Sequence, residues 1–182
     1  EYIQKAPVSE EELLECTQFI MSECSRLQNM AYQLLDMALL KGEEANYQDF
    51  FAASLFEQSE KIMHVRSLEK NINLSYSTLE NFLMRGNREQ LLILLNNLID
   101  NALKASSQEG DVEVSVYGEG QGIVMEVRDY GMGMEPEHIS HIKEAFYRVD
   151  KSRSRAGGGT GLGLAICERI AQLHHAKLTF VS

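Results

Sequence analysis

Asn97, Asn101 and Lys104 interrupt an otherwise apolar run, REQLLILLNNLIDNALKAS (88–106). Their i, i+4 and i+7 spacing puts them on one face of a helix. Asparagine is a poor helix former, so the stripe needs a reason. Amide oxygens suit Mg2+ and an ammonium suits phosphate; a plain polar stripe facing solvent fits the same residues. Both readings stand at this point.

Three later segments carry similar double meanings. In RDYGMGM (128–134), Asp129 follows a strand-like run and Gly131 and Gly133 make a turn. A carboxylate there can accept from the exocyclic amine of adenine, although Asp and Gly are ordinary turn residues. FYRVDKSRS (146–154) is aromatic and then basic, and Arg148, Lys151 and Arg153 can meet distal phosphates. Residues 157–163 hold five glycines in seven, directly before the helix-forming LGLAICERIAQL (162–173). A phosphate loop of the GxxxxGK[ST] type fails, because Leu164 follows Gly163. A dinucleotide GxGxxG fails too, because a polar basic loop rather than a strand precedes it. A flexible loop whose amides can wrap an anion at a helix start remains.

The elements that must position these residues are legible around them. Ser9 to Lys41 lacks glycine and proline, and Leu13, Ile20, Leu27 and Leu34 recur every seven residues. This predicts a long helix with a bundle seam, opened by a Ser9–Glu12 capping box and closed by Gly42, whose partner helix lies elsewhere. A helix is expected over 51–68 and strands near 72–76 and 82–85. The apolar helix 88–106 comes next, then a hairpin of 111–118 and 122–129. Helices at 135–147 and 162–174 and a strand at 177–181 complete the order. The expected fold is α+β: a two-layer α/β sandwich with a mixed sheet and a long N-terminal helix.

The 182 residues, 44% hydrophobic and 24% charged, read as a soluble domain with an appendage. The net charge of −10 disfavours nonspecific nucleic-acid binding. Residues 1–60 hold twelve acids against Lys5, Arg26 and Lys41, while Lys143, Arg148, Lys151, Arg153 and Arg155 form a basic island suited to an anion. Cys16, Cys24 and Cys167 have no metal or disulfide spacing and are expected to be reduced and buried. Glu1 is not an initiator methionine, so the chain reads as a piece of something longer.

In this order and spacing the segments resemble the ATP-binding catalytic domain of sensor histidine kinases, in the superfamily that also holds the Hsp90 chaperones, gyrases and MutL. The likeness spans about residues 45–181: NNLIDNALKAS resembles the N box, DYGMGM the G1 box, FYRVDKSRS the F box and GGGTGLGLAI the G2 box. It implies that Asn97 and Asn101 hold Mg2+, that Lys104 reaches a phosphate of ATP, and that Asp129, with Gly131 and Gly133, binds adenine. Arg148 and Lys151 would attend the γ-phosphate, and Gly159, Thr160, Gly161, Leu162 and Gly163 would form a lid. Asn97, Lys104 and Arg148 would be the catalytic residues.

The clamp ATPases of this superfamily carry a glutamate where Asn97 stands. An amide cannot take a proton from water, whereas a neutral imidazole needs no such base. The resemblance therefore implies a histidine kinase: residues 1–44 the second helix of a dimerisation hairpin, 45–182 the catalytic domain. Its implied partners are a second copy and a response-regulator receiver domain, with no nucleic acid. It implies a cytoplasmic domain with a membrane-anchored parent. No histidine here has a phosphoacceptor setting; His64, His138, His141, His174 and His175 read as structural. Three departures stand out: Ala105 replaces a common adenine-stacking aromatic, His174-His175-Ala176 stands where Gly-Gly is common, and the usual final strand does not follow Ser182. Ala105 favours the rival reading, a degenerate binding module, which the intact motifs oppose.

Overall fold

The computed structural model describes residues 9–39, 46–78, 80–149 and 160–182, with backbone alone at Asp36 and Leu39. Helix α1 (Glu10–Leu39) opens on the expected box: Ser9 N donates to Glu12 Oε2 at 2.9 Å and Glu12 N to Ser9 Oγ at 3.2 Å. The Ser9 amide, then its hydroxyl, hold the Glu12 carboxyl below its ordinary pKa. Leu13, Ile20, Leu27 and Leu34 are all roughly half exposed, so the seam is open. A neighbouring face, Met30, Gln33 and Met37, is half-buried against the rest of the molecule. Gly42 lies outside the described residues.

Strand β1 (Gln48–Phe51) pairs antiparallel with β3 (Leu83–Gly86). The sequence gives no sign of β1, since only Phe50 of its four residues is buried. Helix α2 (Ala52–Glu69) follows without a loop. Strands β2 (Asn73–Thr78), β4 (Asp111–Glu119) and β5 (Gly122–Asp129) form a mixed sheet, β2 parallel to β4 and β4 antiparallel to β5. Period-two alternation explains β4: Val112, Val114 and Val116 are buried while Glu113 faces outward. Helix α3 (Arg88–Ala105) and α2 cover the inner face, and α5 (Gly163–Leu173) packs on α3. The result is the expected two-layer α/β sandwich. Its core runs through Leu55, Met63, Leu95, Ile99, Leu103, Ile166 and Ile170.

Three expectations change. The predicted helix 135–147 is the single turn α4 (Pro136–Ile139) followed by turns. Phe146 ends the series because it takes a left-handed φ of 68° and its N–H donates to Gly161 O at 2.8 Å. Residues 177–181 form no strand, yet Leu178 and Phe180 are half-buried while Thr179 and Val181 are exposed, so alternation persists as packing without a ladder. Among the cysteines only Cys167 is buried; Cys16 is half-buried and Cys24 exposed on α1.

The His-His-Ala sequence has a clear role. His175 adopts φ 51°, Ala176 N donates to Ala171 O and His175 N to Gln172 O, which is a Schellman end made without glycine. His174 Nε2 accepts from Asn87 N at 2.9 Å and its Nδ1 faces Ile170 O at 2.8 Å. A Cβ on Gly86 would stand 2.8 Å from the His174 ring. His174 is structural, tying the end of α5 to the start of α3.

Candidate functional site

Helix α3 carries the centre of the site. Asn87 caps it, its side chain accepting from Gln90 N at 3.1 Å. The Arg88 guanidinium anchors the same end to α2 through Ser54 O at 2.8 Å and Gln58 Oε1 at 2.5 Å. With its apolar face in the core, the helix presents Asn97 and Asn101 at the rim, both half-buried.

Asn97 Nδ2 donates to Ile93 O at 2.9 Å, which leaves Oδ1 for other work. A Cβ on Gly163 would stand 2.8 Å from that oxygen, so glycine at the start of α5 allows the close approach. Asn101, one turn further, makes no side-chain hydrogen bond to a described residue. Two amide oxygens one turn apart suit a hard oxygen-seeking cation such as Mg2+. Asn96 belongs to a different arrangement: its Oδ1 accepts from the buried Ser59 hydroxyl at 2.7 Å, which also meets Tyr76 Oη at 3.1 Å. It joins α2, α3 and β2.

Lys104 turns back along α3. Its Nζ lies 2.5 Å from Asp100 Oδ2, and Asp100 Oδ1 accepts from Arg66 Nη1 of α2 at 3.0 Å. Nearby, Lys70 Nζ donates to Leu103 O at 2.9 Å. Burial first, then repulsion from Lys104, lower the Lys70 pKa.

The turn after β5 is stitched to α3. Asp129 is exposed at the strand end, and its Oδ1 accepts from Gly131 N at 3.0 Å. Met132 N donates to Ala105 O at 3.3 Å, and a Cβ on Gly131 would stand 2.3 Å from that oxygen. Only glycine fits there. Gly133 has φ 64° and abuts Ser182.

The basic and glycine-rich segments meet at one seam. Gly161 has φ 77°, and a Cβ there would lie 2.9 Å from the Phe146 backbone, which its carbonyl already holds. Arg148 is half-buried just beyond. Leu162 is fully buried, and its N–H donates to Thr160 Oγ1 at 3.2 Å; that hydroxyl in turn donates to Gln33 Oε1 of α1. Lys143 is occupied elsewhere, with Leu178 O at 2.7 Å and Glu168 at 3.1 Å. Lys151, Arg153, Arg155 and Gly159 lie outside the described residues.

Residues 86–182 match the family described as histidine kinase-, DNA gyrase B-, and HSP90-like ATPase. The chain belongs to that family. Among curated relatives of this ATPase domain, the phosphate regulon sensor protein PhoR of Pseudomonas aeruginosa is 30% identical over 171 residues. The alignment takes in 93% of this chain and 39% of PhoR. The sensor histidine kinase YkoH of Bacillus subtilis is 35% identical over 173 residues, 94% of this chain and 37% of YkoH. The chain thus spans about two fifths of the length of these relatives. Among solved structures, the histidine kinase ThkA in complex with response regulator protein TrrA has a similar fold, with a TM-score of 0.75 at 21% identity over 95% of this chain and 48% of that one. The histidine kinase AdeS of Acinetobacter baumannii gives 0.71 at 20% identity, over 94% of this chain and 78% of AdeS.

Within this family fold, Asn97 meets the start of α5, the Asp129 turn meets the end of α3, and Gly161 meets Phe146. Sequence reasoning missed Gln33 and the Arg66–Asp100 pair. Asp100 and Lys104 stand at i, i+4, a spacing that foretells their contact. Nothing local marks Gln33 or Arg66, because both act across elements. No helix among the described residues is long and apolar enough to cross a membrane.

Proposed function

We propose that this chain is the Mg·ATP-binding catalytic part of a sensor histidine kinase, with residues 45–182 as catalytic domain and 1–44 as the second helix of a dimerisation hairpin. The observation that carries the reading is Asn97 Oδ1 held against the Gly163 start of α5, one turn from Asn101, in a family member whose curated relatives are sensor kinases. Asn97 and Asn101 would hold Mg2+, which would draw charge from the phosphates. The Asp129 carboxylate would accept from the adenine amine, its other oxygen fixed by Gly131 N. Lys104, Arg148 and Lys151 would face the phosphates, with Arg148 and Lys151 at the γ-phosphate. Gly159, Thr160, Gly161, Leu162 and Gly163 would close over them.

Asn97 supplies no base for water, so the γ-phosphoryl group goes to an imidazole, a nucleophile that is already neutral. Positioning and charge neutralisation then do most of the catalytic work. The phosphohistidine would sit on a hairpin helix outside this chain and pass its phosphoryl group to an aspartate of a receiver domain. ThkA, a relative in fold, was solved in complex with response regulator protein TrrA. The whole protein would be a homodimer with this part on the cytoplasmic side of a membrane anchor.

Calorimetric titration with a nonhydrolysable ATP analogue tests the site. Binding that needs Mg2+ and is lost in Asn101→Ala is expected; a folded chain that binds nothing would refute the reading. Transfer from ATP to an added phosphoacceptor hairpin tests the chemistry.

A further inference from the structure

Lys104 does not stand alone: Asp100 holds it at 2.5 Å, and Arg66 reaches across from α2 to the other oxygen of Asp100 at 3.0 Å. The geometry points to Arg66 as a positioning residue for the nucleotide phosphates, acting through Asp100 on Lys104; this rests on the reading of Lys104 given above.

An ammonium has three N–H donors. With one on Asp100, two remain for phosphate, and the long side chain is fixed along α3 instead of sampling solvent. The same carboxylate has a cost, because its charge cancels that of Lys104 and repels a polyphosphate. Arg66 offsets it. Counted as a group, Arg66, Asp100 and Lys104 carry one net positive charge, and without Arg66 they carry none. Lys70 is the other nearby cation, but its Nζ is directed to Leu103 O. Asp100 is the less exposed member, its side chain 26% accessible against 55% for Arg66, so the carboxylate is the fixed centre and Arg66 its outer neutraliser. A chain of two contacts therefore links the outer surface of α2 to the phosphate-facing end of α3.

The test is a double-mutant cycle on this chain, titrated with ATP analogue and with adenosine, each variant first checked for folding by circular dichroism. Lys104→Met is expected to weaken analogue binding. Arg66→Gln is expected to weaken it about two- to fivefold, the scale of partly exposed ion pairs, to leave adenosine binding unchanged, and to have a smaller effect in the Lys104→Met background, where only the charge of Asp100 is left to uncover. Arg66→Lys should restore most of the affinity. An Arg66→Gln effect that is equally large without Lys104, or extends to adenosine, or does not occur, would overturn the inference while leaving the nucleotide site intact. A folded chain indifferent to Lys104→Met would overturn both the inference and the assignment of Lys104.

Discussion

Asn97 Oδ1 lies so close to Gly163 that an added Cβ would stand 2.8 Å from the oxygen. Gly163→Ala should therefore separate two properties. Alanine favours helix by up to about 1 kcal/mol over glycine, so thermal stability should hold or rise. Binding of Mg·ATP analogue should weaken about tenfold as Asn97 is pushed aside. Calorimetry beside a thermal melt checks both, and joint loss of stability and binding would contradict the assignment.

Gly131→Ala should behave differently. Here the obstacle is the Ala105 carbonyl, at 2.3 Å, and backbone cannot swing away. We expect a loss of about 1–3 kcal/mol in urea unfolding, the usual cost of forced overpacking, together with loss of nucleotide binding. Wild-type stability in this variant would show that the turn after β5 is looser than described.

The cysteines should divide by burial. Desolvation pushes the Cys167 thiol up to about 12, so it is protonated and shielded near pH 8. Cys16 and Cys24 are accessible on α1. Iodoacetamide under native conditions, read by mass spectrometry, should mark two sites and reach Cys167 only after denaturation. Prompt native labelling of Cys167 would place α5 away from α3.

Thr160 and Gln33 should couple. Thr160→Val removes the acceptor of Leu162 N in a buried place and should cost about 1–3 kcal/mol. Gln33→Ala removes only the outer partner and should cost less. Because both share one hydroxyl, the double variant should lose less than the sum. Amide exchange at Leu162 should quicken in Thr160→Val but not in Gln33→Ala.

Local pattern made most of this fold legible. The capping box at Ser9, the helix at 88–105 and the valine alternation of β4 each depend on neighbours within a few residues, and each stands where the spacing puts it. The failures share a cause. Strand β1 exists because β3 pairs with it, the turns after α4 end at Phe146 where Gly161 takes its amide, and Gln33 is found by Thr160 across 127 positions. Motif spacing marks Asn97, Asp129 and Gly163 as candidates because each motif is contained within a few neighbouring residues. Arg66 carried no such signature, since its partner is set only by how α2 lies on α3.

Among the described residues, helix α1 packs on the remainder of the molecule through Met30, Gln33 and Met37, near one end. At about 1.5 Å per residue, Ser9 lies some 36 Å from Gln33 along the axis. A tilt of about 5° at the Gln33 seat therefore swings Ser9 through roughly 3 Å. The short contact has the geometry of a fulcrum and the leucine seam that of its long arm, so a small tilt at the seat would become a displacement the width of a side chain at the far end.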